Sequence, residues 1–428
     1  MRRSGLRFAM ITTFYPPYHF GGDADYVRQF SEILTQRGHE VDVIHDIDAY
    51  TILNDGHKPE PVESPSNVKT HGMKSHWPRI SCLATQQSAR PMFHGRKIRQ
   101  ILNERKPDII HYHNISLIGG PRVLAYGDGI KIYTAHEHWL VCPTHVLWKN
   151  KAELCDEREC LKCELTYRRP PQMWRKTEYL KRQAAHVDQF CSPSQFSADM
   201  HRKFGFESQM RVMPSFLPDV DMQTIPPPPG EYQGRPYFLY VGRLEKIKGI
   251  QDVIPPFRDF PDAQLWIVGS GNYEPALKKL AGESKNIHFF GHRDSKELRS
   301  FYAHSTAVLL PSICYEVFPL VVIEAFREGI PVIARKLGPF PELIRQSAGG
   351  LLFNTQEEFL ESVKYMINDS SARRIMGVSA RKSYLERWSE SAGMRSYFSL
   401  IREIAERRER NKVLDVLDRC DSLGQLGP

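Results

Sequence analysis

Leu6-Arg-Phe-Ala-Met-Ile-Thr12, a loop over Phe14 to Gly22, a helical stretch over Asp23 to Arg37 and then Gly38-His-Glu-Val-Asp-Val-Ile44 decide the fold. Apart from Arg7 and the closing Thr12 the first run is apolar, as suits a buried strand. In the middle stretch Val27, Phe30, Ile33 and Leu34 recur at helical spacing, and Gly38 supplies the stop. A strand, loop, helix and second strand in that order predict a parallel sheet. Two further strands are expected at Asp108-Ile-Ile-His-Tyr-His-Asn114 and Ile130-Lys-Ile-Tyr-Thr-Ala-His136, whose polar ends run out at His113 and His136.

A second series of the same kind begins beyond Pro226-Pro-Pro-Pro-Gly230, a stiff stretch suited to a domain boundary. Strands are expected at Tyr237–Val241, Ala263–Val268, Ile287–Phe290, Ala307–Leu310 and Pro331–Ala334, alternating with helical stretches. At 428 residues the chain exceeds one ordinary core. The reading is an α/β protein with two Rossmann-like domains facing a central cleft. Residues 1–215 form the first domain, 216–236 a proline-rich linker and 237–385 the second domain. A helix within 386–410 returns to the first domain, and 411–428 is read as a loosely ordered tail.

With 41% hydrophobic and 25% charged residues, the composition is that of a folded globular protein. The most apolar stretch, Ala307–Phe326, is broken by two prolines and two glutamates, so no membrane-spanning segment is expected. The amino-terminal apolar run is short and ends in Pro16-Pro17, which favours a first strand over an export signal. A cytoplasmic location is therefore expected, in association with the inner face of the membrane. The net charge of +8 is uneven: residues 1–220 hold 30 basic and 24 acidic side chains. Lys69, Lys74, Arg79, Arg90, Arg96, Lys97 and Arg99 are interleaved with Trp77, Met92 and Phe93, a pattern suited to anionic headgroups, a phosphorylated acceptor or a solvated basic face. No nucleic-acid module accompanies the charge, so no nucleic-acid partner is expected.

In Pro311-Ser-Ile-Cys-Tyr-Glu-Val-Phe-Pro-Leu-Val-Val-Ile-Glu-Ala-Phe-Arg-Glu-Gly329, Glu316 and Glu324 interrupt an otherwise apolar element. Pro319 suits the first helical position and Gly329 the position past the end, which predicts a helix over Pro319–Glu328 with Glu316 in the loop before it. The loop follows the carboxyl end of a buried strand, where parallel α/β sheets bind ligands. Val241-Gly-Arg-Leu-Glu-Lys-Ile-Lys-Gly249 likewise follows a strand and places Arg243 and Lys248 in one glycine-flanked loop. Two cations so placed suit a diphosphate, the arginine as a planar fork and the lysine as a point charge.

Taken together, Gly21-Gly22 before the first helix, His136 at a strand end, Gly242-Arg243 with Lys248-Gly249, Val268-Gly-Ser-Gly271 and the Glu316/Glu324 pair resemble the group 1 (family 4) retaining glycosyltransferases of the GT-B fold. The resemblance runs from about Leu6 to Trp388 in the family's motif order. It implies sugar transfer from a nucleotide-sugar donor, held mainly by the second domain, to an acceptor held mainly by the first. Arg243 and Lys248 would grip the donor diphosphate, Glu316 the sugar hydroxyls and Glu324 the ribose hydroxyls. Gly22, Gly242 and Gly271 would admit the donor closely, and the N–H groups of Phe318 and Leu320 would meet its sugar or phosphate. His136 would donate a hydrogen bond near the transferred sugar. No catalytic cofactor is implied, and the departing phosphate would itself take the acceptor's proton. Val317 and Pro319 replace the paired glycines usual after the first glutamate, and Leu337-Gly-Pro-Phe-Pro-Glu342 also departs from the pattern.

Directly after His136, Cys142, Cys155, Cys160 and Cys163 are spaced Cys-x12-Cys-x4-Cys-x2-Cys, within an insertion at 142–163. Four thiols so spaced suit a structural zinc site, with an iron centre, metal-free thiols and disulfides as alternatives. The reading is a peripheral glycosyltransferase acting on a lipid-linked or cell-surface polysaccharide intermediate. Its rivals are a nucleotide-sugar epimerase of similar fold and a non-catalytic, metal-stapled interaction protein.

Overall fold

The computed structural model describes residues 5–54, 59, 67–230 and 234–422. It divides into two compact units: Met1–Met213 with Gly393–Pro428, and Pro214–Ala392.

Among the described residues, nine strands belong to the first unit: β1 (Arg7–Ile11), β2 (Glu40–Asp46), β3 (Val68–Met73), β4 (Ile109–Tyr112), β5 (Ile130–Thr134), β6 (Trp148–Lys149), β7 (Glu153–Leu154), β8 (Gln189–Ser192) and β9 (Met210–Val212). Seven of them make a sheet in the order β3-β2-β1-β4-β5-β8-β9, and its pairings are parallel. β6 and β7 form a separate antiparallel hairpin inside the cysteine-rich insertion. Strands β3, β8 and β9 lie outside the sequence-based expectation. β3 carries polar residues on an edge, and β9 spans three residues, so neither shows the apolar run that marks a buried strand.

The first helices are α1 (Gly22–Gln36), α2 (Ile47–Leu53), α3 (Pro78–Ser88) and α4 (Gly95–Arg105). α1 buries Val27, Phe30, Ile33 and Leu34, the residues whose spacing predicted it. The helix Glu390–Arg407 buries Met394, Tyr397, Phe398, Leu400, Ile401 and Ile404, and from Gly393 it groups with the first unit. Where a loose tail is expected after residue 410, the chain forms another helix, Asn411–Ser422. Val413, Val416, Leu417 and Cys420 make its buried stripe, whose helical spacing is the physical reason for the correction. Residues 423–428 of the expected tail lie outside the described residues.

Six parallel strands form the sheet of the second unit: β10 (Tyr237–Val241), β11 (Gln264–Val268), β12 (Ile287–Gly291), β13 (Ala307–Leu310), β14 (Val332–Arg335) and β15 (Gly350–Phe353). Their order is β12-β11-β10-β13-β14-β15. Each face buries its own apolar cluster, one around Tyr237, Trp266 and Trp388 and the other around Phe238, Phe257 and Ile267. The segment 216–236, read as a linker, groups with this unit, and its described part is bonded to it. Leu217 N–H donates to the Trp388 carbonyl at 3.0 Å, Ser300 Oγ to the Pro227 carbonyl at 2.5 Å, and His304 Nε2 lies 2.8 Å from the Pro226 carbonyl.

Candidate functional site

In the second unit the strand order reverses between β10 and β13, and the loops that follow these two strands carry Lys248 and Glu316. Such a switch point opens a crevice at the carboxyl ends of the strands, where the neighbouring crossovers leave in opposite directions. The loops are laced together by backbone bonds: Ile313 N–H to the Ile247 carbonyl at 3.0 Å, and Leu244 N–H to the Ser270 carbonyl at 2.9 Å. Gly249 has φ 74° and lies so close to the Pro311 carbonyl that a Cβ would overlap it, and a Cβ on Gly271 would likewise overlap the Leu244 carbonyl. Those glycines let three loops meet, and any side chain there would push them apart.

Lys248 Nζ donates to Glu316 Oε1 at 2.7 Å, and Ser312 Oγ donates to the same oxygen at 2.7 Å. Burial alone would lower the lysine pKa, but the Glu316 carboxylate outweighs it and holds Lys248 above its ordinary value. For Glu316 burial acts upward, and Lys248, Ser312 and Arg243 together hold its pKa below the ordinary value. Both groups are thus charged at neutral pH. Arg243 Nη1 pairs with Glu245 Oε1 at 2.8 Å and is mostly exposed. The site therefore combines one paired, partly buried cation with a second cation open to solvent.

Glu324 lies on the helix Leu320–Arg327, where Tyr302 Oη donates to its Oε2 at 2.6 Å. Pro319 caps this helix in extended conformation rather than starting it, because its ψ of 107° lies outside the helical range. No side chain caps the start, and the first bond of the turn runs from Val322 N–H to the Pro319 carbonyl at 3.0 Å, so the Leu320 amide stands ahead of the intrahelical ladder. Gly329 ends the element with φ 71°, the left-handed conformation expected of it. Ser312 and Tyr302 escaped the sequence reading. Ser312 stands four residues before Glu316 in a loop whose shape no periodicity reveals, and Tyr302 reaches Glu324 from a different helix.

In the first unit His136 follows β5, and His113 follows β4. His113 Nδ1 and His136 Nε2 are 2.9 Å apart, while His111 Nε2 meets Thr134 Oγ1 at 2.8 Å and His111 Nδ1 meets Tyr397 Oη at 3.1 Å. Burial lowers the His136 pKa to about 4 and the His111 pKa to about 3, so both rings are neutral at pH 7. His136 is thus a neutral hydrogen-bonding ring oriented by His113. Gly22 is exposed at the start of α1, one residue after Gly21, which takes φ 77°. Phe318 and Gly242 stand in the loops that carry Glu316 and Arg243.

Residues 221–383 match the family described as glycosyl transferases group 1, and residues 20–218 match glycosyltransferase family 4. The chain is a group 1 glycosyltransferase of the GT-B fold. An uncharacterised glycosyltransferase of Methanocaldococcus jannaschii is 24% identical over 411 residues, 90% of this chain and 95% of that one. Among solved structures, sucrose-phosphate synthase from Thermosynechococcus elongatus superposes with a TM-score of 0.71 at 19% identity, over 94% of this chain and 100% of that one. HepE from Anabaena in complex with UDP-glucose superposes with a TM-score of 0.60 at 15% identity, over 95% of this chain and 100% of that one.

The glycosyltransferase carries its four clustered cysteines around one small cavity, and all four are free thiols. Burial and the neighbouring cysteines push the Cys155 thiol up to about 11. That mutual repulsion of thiolates is what a bound cation would reverse. Asn150 N–H approaches Cys163 Sγ at 3.4 Å, and Thr144 Oγ1 lies 3.3 Å from Cys142 Sγ. The donor set is all sulfur, the chemistry of a closed structural zinc site in which all four cysteines would be ligands, although no three of these thiols lie within 4.8 Å of one another. Beside the cluster, the glycosyltransferase stacks Arg175 on Trp139 and Trp174, with 4.9 and 4.5 Å to their ring centres. Among the described residues, the ligating groups lying within 4.8 Å of one another are Asp46, Asp48 and His94, and His94 Nε2 lies 3.1 Å from Asp48 Oδ2.

Proposed function

We propose that this glycosyltransferase moves a sugar, with retention of configuration, from a nucleotide-sugar donor to a lipid-linked or cell-surface polysaccharide intermediate. It would do so as a peripheral protein at the cytoplasmic face of a membrane. The observation that carries the donor assignment is the Lys248–Glu316 pair with Arg243 at the strand-order reversal. HepE, of similar fold, is recorded in complex with UDP-glucose, which supports the same class of donor. No helix among the described residues is long and apolar enough to cross a membrane.

In this reading Arg243 and the remaining donors of Lys248 receive the diphosphate, since an ammonium has three protons and Glu316 Oε1 accepts one of them. Glu316, held by Lys248 and Ser312, presents its carboxylate to sugar hydroxyls. Glu324, oriented by Tyr302, accepts from the ribose hydroxyls. Gly242 and Gly271 let backbone approach the donor, and the amides of Phe318 and Leu320 add hydrogen bonds at the helix start. The parts played by Gly22 and His136, in the first unit, rest on the family resemblance.

The acceptor oxygen attacks the anomeric carbon from the face that the phosphate leaves. The carbon–phosphate oxygen bond breaks, the new glycosidic bond forms, and the acceptor's proton passes to the departing phosphate oxygen. Arg243 and Lys248 stabilise the charge that grows there. Isothermal titration against a panel of nucleotide sugars, followed by transfer assays and NMR of the product anomer, tests the scheme. Inverted product sinks the retaining mechanism, and a converted nucleotide sugar released without any acceptor indicates the epimerase.

A further inference from the structure

We propose that the outer side of α2, α3 and the turn leading into α4 docks on an anionic lipid bilayer. Helix α3 is patterned inside out. Its buried positions are Ser81, Cys82 and Thr85, whereas Ile80 and Leu83 face solvent. An ordinary surface helix buries its apolar residues and exposes its polar ones, so a helix that does the reverse has a second apolar environment in use. Trp77, just before α3, is 63% exposed, and Met92 in the turn before α4 is 61% exposed. Leu53 at the end of α2 and Phe93 beside Met92 are also exposed. A groove between α2 and α3 is lined by Ile52, Trp77 and Ile80 together with Arg79.

These residues stand on one support. Ser81 Oγ and Asp48 Oδ2 each lie 3.1 Å from His94 Nε2, and Ser75 N–H donates to Asp48 Oδ1 at 2.9 Å. That buried polar knot ties α2, α3 and the turn before α4 together, which accounts for the buried Ser81 of α3. The exposed apolar side chains therefore share a framework instead of moving separately.

Charge selects the occupant. From Asn67 to Asn103 the chain has seven lysines and arginines and no aspartate or glutamate. Lys74, Arg79 and Arg96 are exposed to solvent. A second copy related by two-fold symmetry would bring like charge against like charge. An anionic bilayer meets both halves of the surface, because headgroups neutralise the cations while Trp, Ile and Leu enter the acyl boundary. This deepens the reading of a lipid-linked acceptor, and its test reads vesicle binding, not transfer, so either reading can fail alone.

The experiment is co-sedimentation of the full chain with phosphatidylcholine vesicles, with and without phosphatidylglycerol. Binding should require the anionic lipid and weaken with salt. Trp77→Ser with Ile80→Ser, and separately Arg79→Glu with Arg96→Glu, should each reduce it about tenfold or more. Ile375→Ser with Val378→Ser, two exposed apolar positions of the second unit, should leave it unchanged. Nucleotide binding and thermal unfolding report that each variant is folded. As a check without substitutions, hydrogen exchange of the natural chain should slow over 77–93 when anionic vesicles are added. Absent binding, binding indifferent to lipid charge, protection elsewhere but not at 77–93, or an apolar variant that alters oligomeric state but not vesicle binding would each overturn the proposal.

Discussion

Lys248 and Glu316, separated by 68 positions in the chain, are joined at 2.7 Å where the strand order of the second unit reverses. Each holds the other's charge in a place that burial alone would make unfavourable. Removing one partner leaves the other charge uncompensated, so Lys248→Met and Glu316→Leu should each destabilise the second unit by about 2–3 kcal/mol. The double variant should recover most of that stability and none of the transfer activity. Chemical denaturation and a transfer assay on the three proteins check this; additive losses in stability would show that the pair is not coupled.

The same pair sets a pH window. Glu316 has a lowered pKa in the folded state, so its stabilisation is present above the unfolded carboxyl value and is lost as pH falls through the lower folded value. Lys248 is raised, so its share is present below the unfolded lysine value and is lost as pH rises through the folded one. Denaturation midpoints across pH should therefore vary less at both extremes in the double variant than in the natural chain.

Tyr302 donates to Glu324 at 2.6 Å and orients a carboxylate assigned to the donor ribose. Glu324→Ala should weaken nucleotide binding about 10- to 100-fold, the worth of hydrogen bonds to a charged acceptor. Tyr302→Phe should cost less, since the carboxylate remains. Titration calorimetry with the free nucleoside diphosphate separates the two, and unchanged affinity in the Glu324 variant would remove the ribose assignment.

Much of this site was legible because its residues travel in short segments. Strand, glycine, cation and glycine are contiguous at 237–249, and the two glutamates share the run 311–329. What was not legible is how those segments meet. Glu316 and Lys248 looked like holders of different parts of a donor, and nothing local announces that they hold each other, that Ser312 joins them or that Tyr302 reaches Glu324. Folding also moved Pro319 from the first helical turn to the cap, because the preceding loop is extended there. The helix at 411–422 was overlooked for a different reason: its buried stripe is four residues wide and sits among charges.

The cysteine cluster makes a separate prediction. Protein purified without chelator should contain about one zinc per chain, and each of Cys142→Ser, Cys155→Ser, Cys160→Ser and Cys163→Ser should lower that content. Because a closed four-sulfur site has no position for substrate, metal removal should lower the thermal stability of the first unit and leave nucleotide binding by the second unit intact. Metal analysis by mass spectrometry decides; metal-free protein of undiminished stability would leave the cysteines as packing residues.

His136 is neutral near pH 7 because burial lowers its pKa to about 4. In the unfolded chain a histidine titrates near 6.5, so between those values the unfolded state binds the extra proton and the folded state does not. His136, with His111 and His113 lowered in the same way, should therefore cost the first unit stability as pH falls below about 6.5. The same neutrality shapes the reaction. If His136 acts as an uncharged hydrogen-bond donor, His136→Ala should lower kcat by a factor on the order of 10² without changing how kcat/KM depends on pH between about 6 and 8. A profile that loses a step near pH 6.5 in the variant would mean that the ring works as a cation, and the role given to it here would fall.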